Sequence, residues 1–536
     1  MKRSLLLVPL LFLTQACTNL FDSNSYVVKG LDKDKLSIVY THNLTGETHP
    51  CGCRHFPLGG LPQVAGKLNE LKKTSDVIFV DVGDSFFPTI QVPKEQKESQ
   101  ILNANELSYA LSEIGLNFHV PGDYDLAPGI EEYKKIVANK KYVVLVSNLK
   151  DENLFPHKKW ALIEKGPHKI ALIGLVNPAI YPSATASFFT DPKVALKEIL
   201  KEAEAKGVKS NDPFSRVIVF SHSGMDFDEQ LAKDFPNIDW IAGAHTQNFT
   251  THPQQEGNTK IVQVLSKNHY LGNITIALDA SKDKDSYSII EVREELSKLL
   301  DPNPWTAWID QHRTKINQIK EREMQLVTKS TGVEPFMSAR SCLDCHGEQA
   351  QKWMSTPHSL AYITLLNAKE QNNPSCIGCH SLGFQSPQGF SNMDDIVHFK
   401  DVEADKKAAH MEEYLKELKQ SFGKIASVRK LDHTQILKHA KKWQGLEDKF
   451  KVQDNYMNVQ CLNCHSFAAD HPFDDKSKRL DRQAALDGMK AKCLNCHSAE
   501  QAPEWYIKKE NGLPGALDEK LFQKNIKAVG CPLMAK

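Results

Sequence analysis

The chain of 536 residues has no excess charge of either sign, because 66 Lys and Arg balance 66 Asp and Glu. That balance supplies no whole-chain field for gathering nucleic acid or an anionic membrane surface, so no nucleic-acid partner is expected. Long hydrophobic runs are also missing. The apolar stretch Ser4–Leu13 is too short to span a bilayer, which takes about 20 residues, and no later run is long enough. Cysteine is sparse before the last third of the chain, where only Cys17, Cys51 and Cys53 occur. A separation of two residues is poor disulfide geometry for Cys51 and Cys53. The sequence supplies no partner for them or for Cys531.

The N-terminus reads as an export signal. Lys2 and Arg3 precede the short apolar run, and Leu13-Thr14-Gln15-Ala16-Cys17 resembles a bacterial lipoprotein cleavage site with its usual leucine displaced by one. Residues 1–17 are therefore expected to be a signal peptide. Cys17 would then carry lipid at the head of a periplasmic or cell-envelope lipoprotein held to the membrane by that anchor. An ordinary secretory signal is the alternative.

What the chain does have is Cys-x-x-Cys-His, four times: Cys342-Leu343-Asp344-Cys345-His346, Cys376-Ile377-Gly378-Cys379-His380, Cys461-Leu462-Asn463-Cys464-His465 and Cys493-Leu494-Asn495-Cys496-His497. In c-type haem attachment two thiols add to the vinyl groups and the adjoining imidazole takes the iron. Zinc knuckles and dithiol redox pairs also use Cys-x-x-Cys, but neither needs His after every second Cys. Four pentads imply four c-type haems and electron traffic.

Upstream, residues 22–300 read as one α/β domain. Strands are expected at Leu36–Tyr40, Val77–Asp81, Tyr142–Val146, Ile170–Leu175, Val217–Phe220, Trp240–Ile241, Ile261–Leu265 and Ile274–Leu278. Helices are expected near Gly66–Lys73, Asn103–Ile114, Val194–Lys206 and Asp228–Asp234. Residues 301–333 form a charged helical connector, 334–506 the haem segment and 507–536 a tail. Strands are expected to vanish after Glu334, a helix-like insert is expected at Glu403–Ser421 between the second and third sites, and porphyrin is expected to supply most of the core there. The lysines of Lys438–Lys451 read as a solvated face.

Polar residues gather just after several strands, where α/β sheets bind ligands. Gly83-Asp84, Gly122-Asp123-Tyr124-Asp125, Ser221-His222-Ser223-Gly224 and Gly243-Ala244-His245-Thr246-Gln247, with the turn Leu58-Gly59-Gly60-Leu61, resemble the calcineurin-like metallophosphoesterases and most closely their 5′-nucleotidase branch. The resemblance covers roughly Leu36–Leu278. It implies a two-sheet α/β sandwich with a dimetal cleft, and metal ligands at Asp84, Asp123, His222, His245 and Gln247. The family's opening Asp-x-His, which binds the first metal, is replaced by Asn43 and Thr45. Its Gly-Asn-His becomes Gly122-Asp123-Tyr124, which removes the imidazole that would assist phosphoryl transfer. The remaining set suits one divalent metal (Mn, Fe, Zn or Ca), with His42, His49 or Cys51/Cys53 as substitute ligands to be tested. The base-clasping C-terminal domain of the nucleotidases is replaced by the haem segment.

That segment resembles the cytochrome c-554/c-prime tetrahaem family, mainly α and loop-rich. Besides the pentads, Gln351-Lys352-Trp353, His358-Ser359-Leu360-Ala361-Tyr362, Gly383-Phe384, Gly389-Phe390, Asn458-Val459-Gln460 and His471 match. The resemblance implies His358 and His471 as distal iron ligands. His398, His410, His433 and His439 remain ambiguous, and His410 and His439 also suit a surface role. The expected function is an exported electron carrier serving a redox partner protein or a quinone-linked membrane complex, with the first domain as scaffold or docking module. Two alternatives stand beside it. One is a haem enzyme acting on a small nitrogen compound at an open iron. The other is a metal-dependent phosphoesterase with a haem redox sensor.

Overall fold

The computed structural model describes residues 25–50, 57–325, 336–343, 345–465, 482–499, 501–508 and 514–530. Cys17, Cys51, Cys53, His471 and Cys531 lie outside these residues.

Thirteen strands build the N-terminal part: β1 Ser25–Val28, β2 Lys35–Thr41, β3 Asp76–Asp81, β4 Leu116–His119, β5 Val143–Val144, β6 Trp160–Lys165, β7 His168–Val176, β8 Ser215–His222, β9 Trp240–Gly243, β10 Gln254–Glu256, β11 Thr259–Val262, β12 Tyr270–Ala277 and β13 Ser286–Glu291. They form two mixed sheets, ordered β1-β6-β7-β8-β9-β11-β10 and β13-β12-β2-β3-β4-β5. Central strands read as near-continuous apolar runs because both faces are covered. Thus Ile170, Ala171, Leu172, Ile173, Leu175 and Val176 of β7 are all buried. One large core lies between the sheets, and a second fills the space under Pro192–Ala205 and Met225–Asp234.

Every strand expected from the sequence is present, although Tyr142–Val146 shrinks to β5. Five were missed: β1, β4, β6, β10 and β13. Three of the five, β1, β10 and β13, are edge strands with polar or half-exposed patterns such as Gln254-Gln255-Glu256. They are recruited by pairing rather than by their own periodicity. The helix Ile130–Val137 was missed as well. The connector is helical, as expected, over Pro304–Gln325.

The C-terminal part is helical with loops, and two expectations about it fail. Strands do not vanish, since Val397–Phe399 pairs with Val452–Asn455 and Tyr506–Lys508 with Pro514–Leu517. Nor is the core left to porphyrin. Leu360, Tyr362, Leu366, Tyr414, Leu418, Trp443 and Tyr456 belong to a continuous apolar cluster. The insert at Glu403–Ser421 is the helix Lys407–Phe422, packed against His433–Lys449, whose Ile436, Ala440 and Trp443 face inward. Its lysines 438, 441, 442 and 449 are exposed, as a solvated face requires.

Arg216, fully buried on β8, joins the two sheets. Its Nε and Nη2 donate to Asp285 at 2.9 and 3.0 Å, and Nη2 also reaches the carbonyl of Ala277 at the end of β12. Breaking a buried pair leaves an uncompensated charge, which costs about 3–5 kcal/mol. Arg216→Ala should lose that much stability in chemical denaturation, and much more than the exposed control Arg293→Ala.

Candidate metal and haem centres

The loops after β3, β4, β8 and β9 converge. Ligand atoms of Asp84, Asp123, His222 and His245 all lie within 4.8 Å of one another, the first three residues buried and His245 half-buried. The approach is tight enough to dictate the neighbouring residues. A Cβ on Gly122 would sit 2.3 Å from the Asp84 carboxylate. Asp84 and His245 themselves adopt left-handed φ values of 57° and 70°, a strained conformation that persists where surrounding structure over-determines it. Much of that support comes from Asp125. Its carboxylate accepts from the backbone N–H groups of Asp84, Ser85, Phe86 and Gly122 at 2.8–2.9 Å, clasping the two ligand loops together.

The imidazole of His222 is oriented for a metal. Its Nδ1 lies 2.6 Å from the carbonyl of Val82, which can only accept, so Nδ1 donates and Nε2 is left facing Asp123 at 3.2 Å and Asp84 at 3.4 Å. Burial opposes protonation of His222, but the Asp84 and Asp123 carboxylates outweigh it and raise its pKa well above the ordinary value. A divalent cation at the centre of this set would take the place of that proton. The donor set of two carboxylates and two imidazoles fits such an ion.

The second half of a dimetal cleft is absent in chemistry. Asn43 donates from Nδ2 to Asp84 Oδ2 at 3.1 Å, so a neutral amide occupies the side of Asp84 where a second cation would require a ligand. His42 is no substitute. Its Nδ1 pairs with Asn43 Oδ1 at 2.7 Å, and its Nε2 accepts from the Val264 N–H at 3.3 Å. His49 points away, with Nε2 on Glu370 at 3.0 Å. Gln247 is exposed on the wall of the neighbouring cavity, and Tyr124 lines that wall too. The cluster therefore suits a single metal. Asp123→Ala should abolish bound divalent metal measured by elemental analysis, whereas Asn43→Asp with Thr45→His should raise the content toward two ions per chain.

The pentads adjoin one another, and the helices Cys461–Cys464 and Arg482–Cys496 of the third and fourth pack together. The Cys342 thiol lies in hydrogen-bonding contact with that of Cys461, and Cys379 with Cys496, so the first site adjoins the third and the second adjoins the fourth. The family-like words between them do the joining. Trp353 Nε1 donates to the Val459 carbonyl, the Tyr362 N–H donates to Asn458, and Gln460 holds Ala339 N–H as well as the Asn455 and Met457 carbonyls. Gly389 sits so close to Gly383 that a Cβ would be 1.9 Å from its carbonyl oxygen, which lets Phe384 and Phe390 pack together with ring centroids 5.5 Å apart.

The histidines fit haem. His380 Nδ1 donates to the Ala361 carbonyl at 2.6 Å, leaving Nε2 for iron. His358 faces His497 with ring centroids 6.4 Å apart. With metal–imidazole bonds of about 2.0 Å on each side, two axial rings on one iron lie roughly 6 Å apart. His358 is thus placed opposite the fourth pentad. Burial, followed by the nearby His497, His380 and Arg429, lowers its pKa to about 4, and burial with Arg429 and His380 does the same for His497. Both stay neutral, the form that binds metal. Of the ambiguous histidines, His410 is tied through Nε2 to the Phe450 carbonyl and His433 through Nδ1 to the Ser355 carbonyl. His398 lines the same cavity as His380.

That cavity, about 2080 Å³, is walled by both parts of the chain: Thr45, Tyr124 and Gln247 beside the metal cluster, and Cys376 and His380 of the second pentad. It exceeds the roughly 300–1,000 Å³ of a small-molecule pocket. Glu370 closes it. This buried carboxylate accepts from His49, from Arg313 Nη2 at 2.9 Å and from Asn373 Nδ2 at 2.9 Å, and Asn373 caps the second-pentad helix Pro374–His380. No sequence signal pointed to Glu370. Burial alone would raise its pKa, but the hydrogen bond and charge of His49, with Asn373 and Arg313, lower it to about 2. Its stabilising effect is complete above the ordinary glutamate value of about 4.3 and is lost as pH falls toward 2. Hydrogen-exchange protection of Pro374–His380 should fall across that window, and Glu370→Gln should remove the pH dependence.

An α/β part with a cluster of residues that could hold a metal ion is therefore joined to a helical part that carries four Cys-x-x-Cys-His pentads. Comparison with known proteins bears on each part. Residues 341–407 match the family model for cytochrome c554 and c-prime. The N-terminal part is similar to an apyrase of Anopheles gambiae, 24% identical over 330 residues, which are 54% of this chain and 54% of that protein. It is also similar to a 5′-nucleotidase of Rattus norvegicus, 20% identical over 323 residues, or 52% of this chain and 54% of that one. The chain thus spans about half the length of these curated relatives. Among solved structures, a 5′-nucleotidase precursor from Thermus thermophilus aligns with TM-score 0.42 and 16% identity, covering 62% of this chain and 68% of that one.

Proposed function

We propose that the protein is an exported electron carrier with four c-type haems and a metallophosphoesterase-like domain that serves as scaffold and docking module. The observation that carries this reading is the pairing of the pentads, first with third and second with fourth, together with the facing rings of His358 and His497. Bound haem supplies reversible one-electron exchange. The chain's own residues set where it occurs. The adjoining pentads would hold their haems as neighbours, and His358 and His497, both neutral, would be the imidazoles offered to the fourth iron, a pairing that would favour electron transfer over ligand binding. A redox partner protein or a quinone-linked membrane complex would exchange electrons with this array at the cell envelope, where the Cys17 lipid would hold it. Among the described residues no helix is long and apolar enough to cross a membrane.

A second reading, metal-dependent phosphoester hydrolysis, is favoured by the intact Asp84, Asp123, His222 and His245 cluster. The Asn43 amide and the phenol of Tyr124 oppose it, since a one-metal donor set with no imidazole at the Tyr124 position is poorly equipped for a two-metal displacement. Stopped-flow mixing with dithionite tests the first reading. All four haems should reduce and reoxidise, and no phosphatase turnover should appear with Mn²⁺. His358→Ala should convert about a quarter of the low-spin iron to a high-spin signal in electron paramagnetic resonance. Haems that fail to reduce would overturn the carrier reading.

A further inference from the structure

Among arginines whose side chains are described, five are ion-paired: Arg216 with Asp285, Arg293 with Glu291, Arg313 with Glu370, Arg322 with Glu98, and Arg340 with Glu447 and Asp448. Arg429 is the exception, with no ion pair among the described residues. It is exposed on the wall of the large cavity, together with Cys376 and His380. Its short turn, Val428–Lys430, packs against both Pro357–Leu360, which carries His358, and Ala361–Ala368, whose first carbonyl orients His380. The turn therefore lies beside His358, which neighbours His497 of the fourth pentad, and beside the segment that orients His380 of the second.

Each haem brings two propionate carboxylates into such a site, and a planar guanidinium pairs with a carboxylate through two parallel hydrogen bonds. We infer that Arg429 is the counter-ion of a haem propionate at the junction of the second and fourth haems, and that it sets the potential of that pair. The inference rests on the four-haem reading. Reduction adds an electron beside the guanidinium, so the positive charge favours the reduced form and its loss lowers the potential.

The test is a spectroscopic potentiometric titration of the fully haem-loaded protein. In Arg429→Gln, one or two of the four midpoints should fall by about 59 mV, a tenfold change in a one-electron equilibrium, while the rest stay in place. Arg429→Lys should shift the same midpoints in the same direction by less, and it carries the test if the Gln variant does not mature. Four unchanged midpoints in either variant would overturn the inference. So would wild-type midpoints that follow sulfate concentration at constant ionic strength, because the guanidinium would then be holding a free anion. Haems that do not reduce at all would instead count against the four-haem carrier itself.

Discussion

Both centres of this protein depend on one hydrogen bond, used twice. At the cleft, His222 donates from Nδ1 to the Val82 carbonyl, and at the second pentad His380 donates from Nδ1 to the Ala361 carbonyl, each at 2.6 Å. A backbone carbonyl can only accept, so the tautomer is decided by the fold and the opposite nitrogen is presented to a metal. A ring free to turn would face the entropy of ordering each time it bound. Here the main chain bears that ordering when the sheet and the helix form.

The surroundings then separate the two sites. At the cleft, the Asp84 and Asp123 carboxylates surround the His222 imidazole and favour positive charge there, a proton or a cation. At the haem segment, burial and the nearby Arg429 favour the neutral form of His358 and His497, the form able to bind a metal. The change from Asp-x-His to Asn43 and Thr45 completes the division. With the Asn43 amide donating to Asp84, the cleft keeps a four-residue donor set suited to one cation. What it retains is a rigid platform, fastened to the second-pentad helix through Glu370, Arg313 and His49.

Much of this was legible in the residues themselves. The pentads declare their chemistry through covalent spacing, which no tertiary context can alter. The strands that carry Asp84, His222 and His245 are long apolar runs, and their polar ends marked the cleft. The rest depended on three-dimensional pairing. The facing of His358 and the fourth pentad joins residues far apart in the chain, and no local pattern records it. Edge strands such as Gln254–Glu256 have no periodicity of their own. The helical core of the haem segment was underestimated because its apolar residues, Tyr414, Leu418 and Trp443 among them, sit on helices rich in lysine and glutamate. His42 looked like a spare ligand in sequence, and only the contacts to Asn43 and Val264 reveal it as a structural support.

The account stands on covalent haem at four Cys-x-x-Cys-His sites. Intact-mass measurement of the mature protein, expressed with cytochrome c maturation in place, addresses that most directly. A mass equal to the processed chain plus four haems is the predicted result. A bare chain mass, or a fully matured protein with fewer than four adducts, would contradict it.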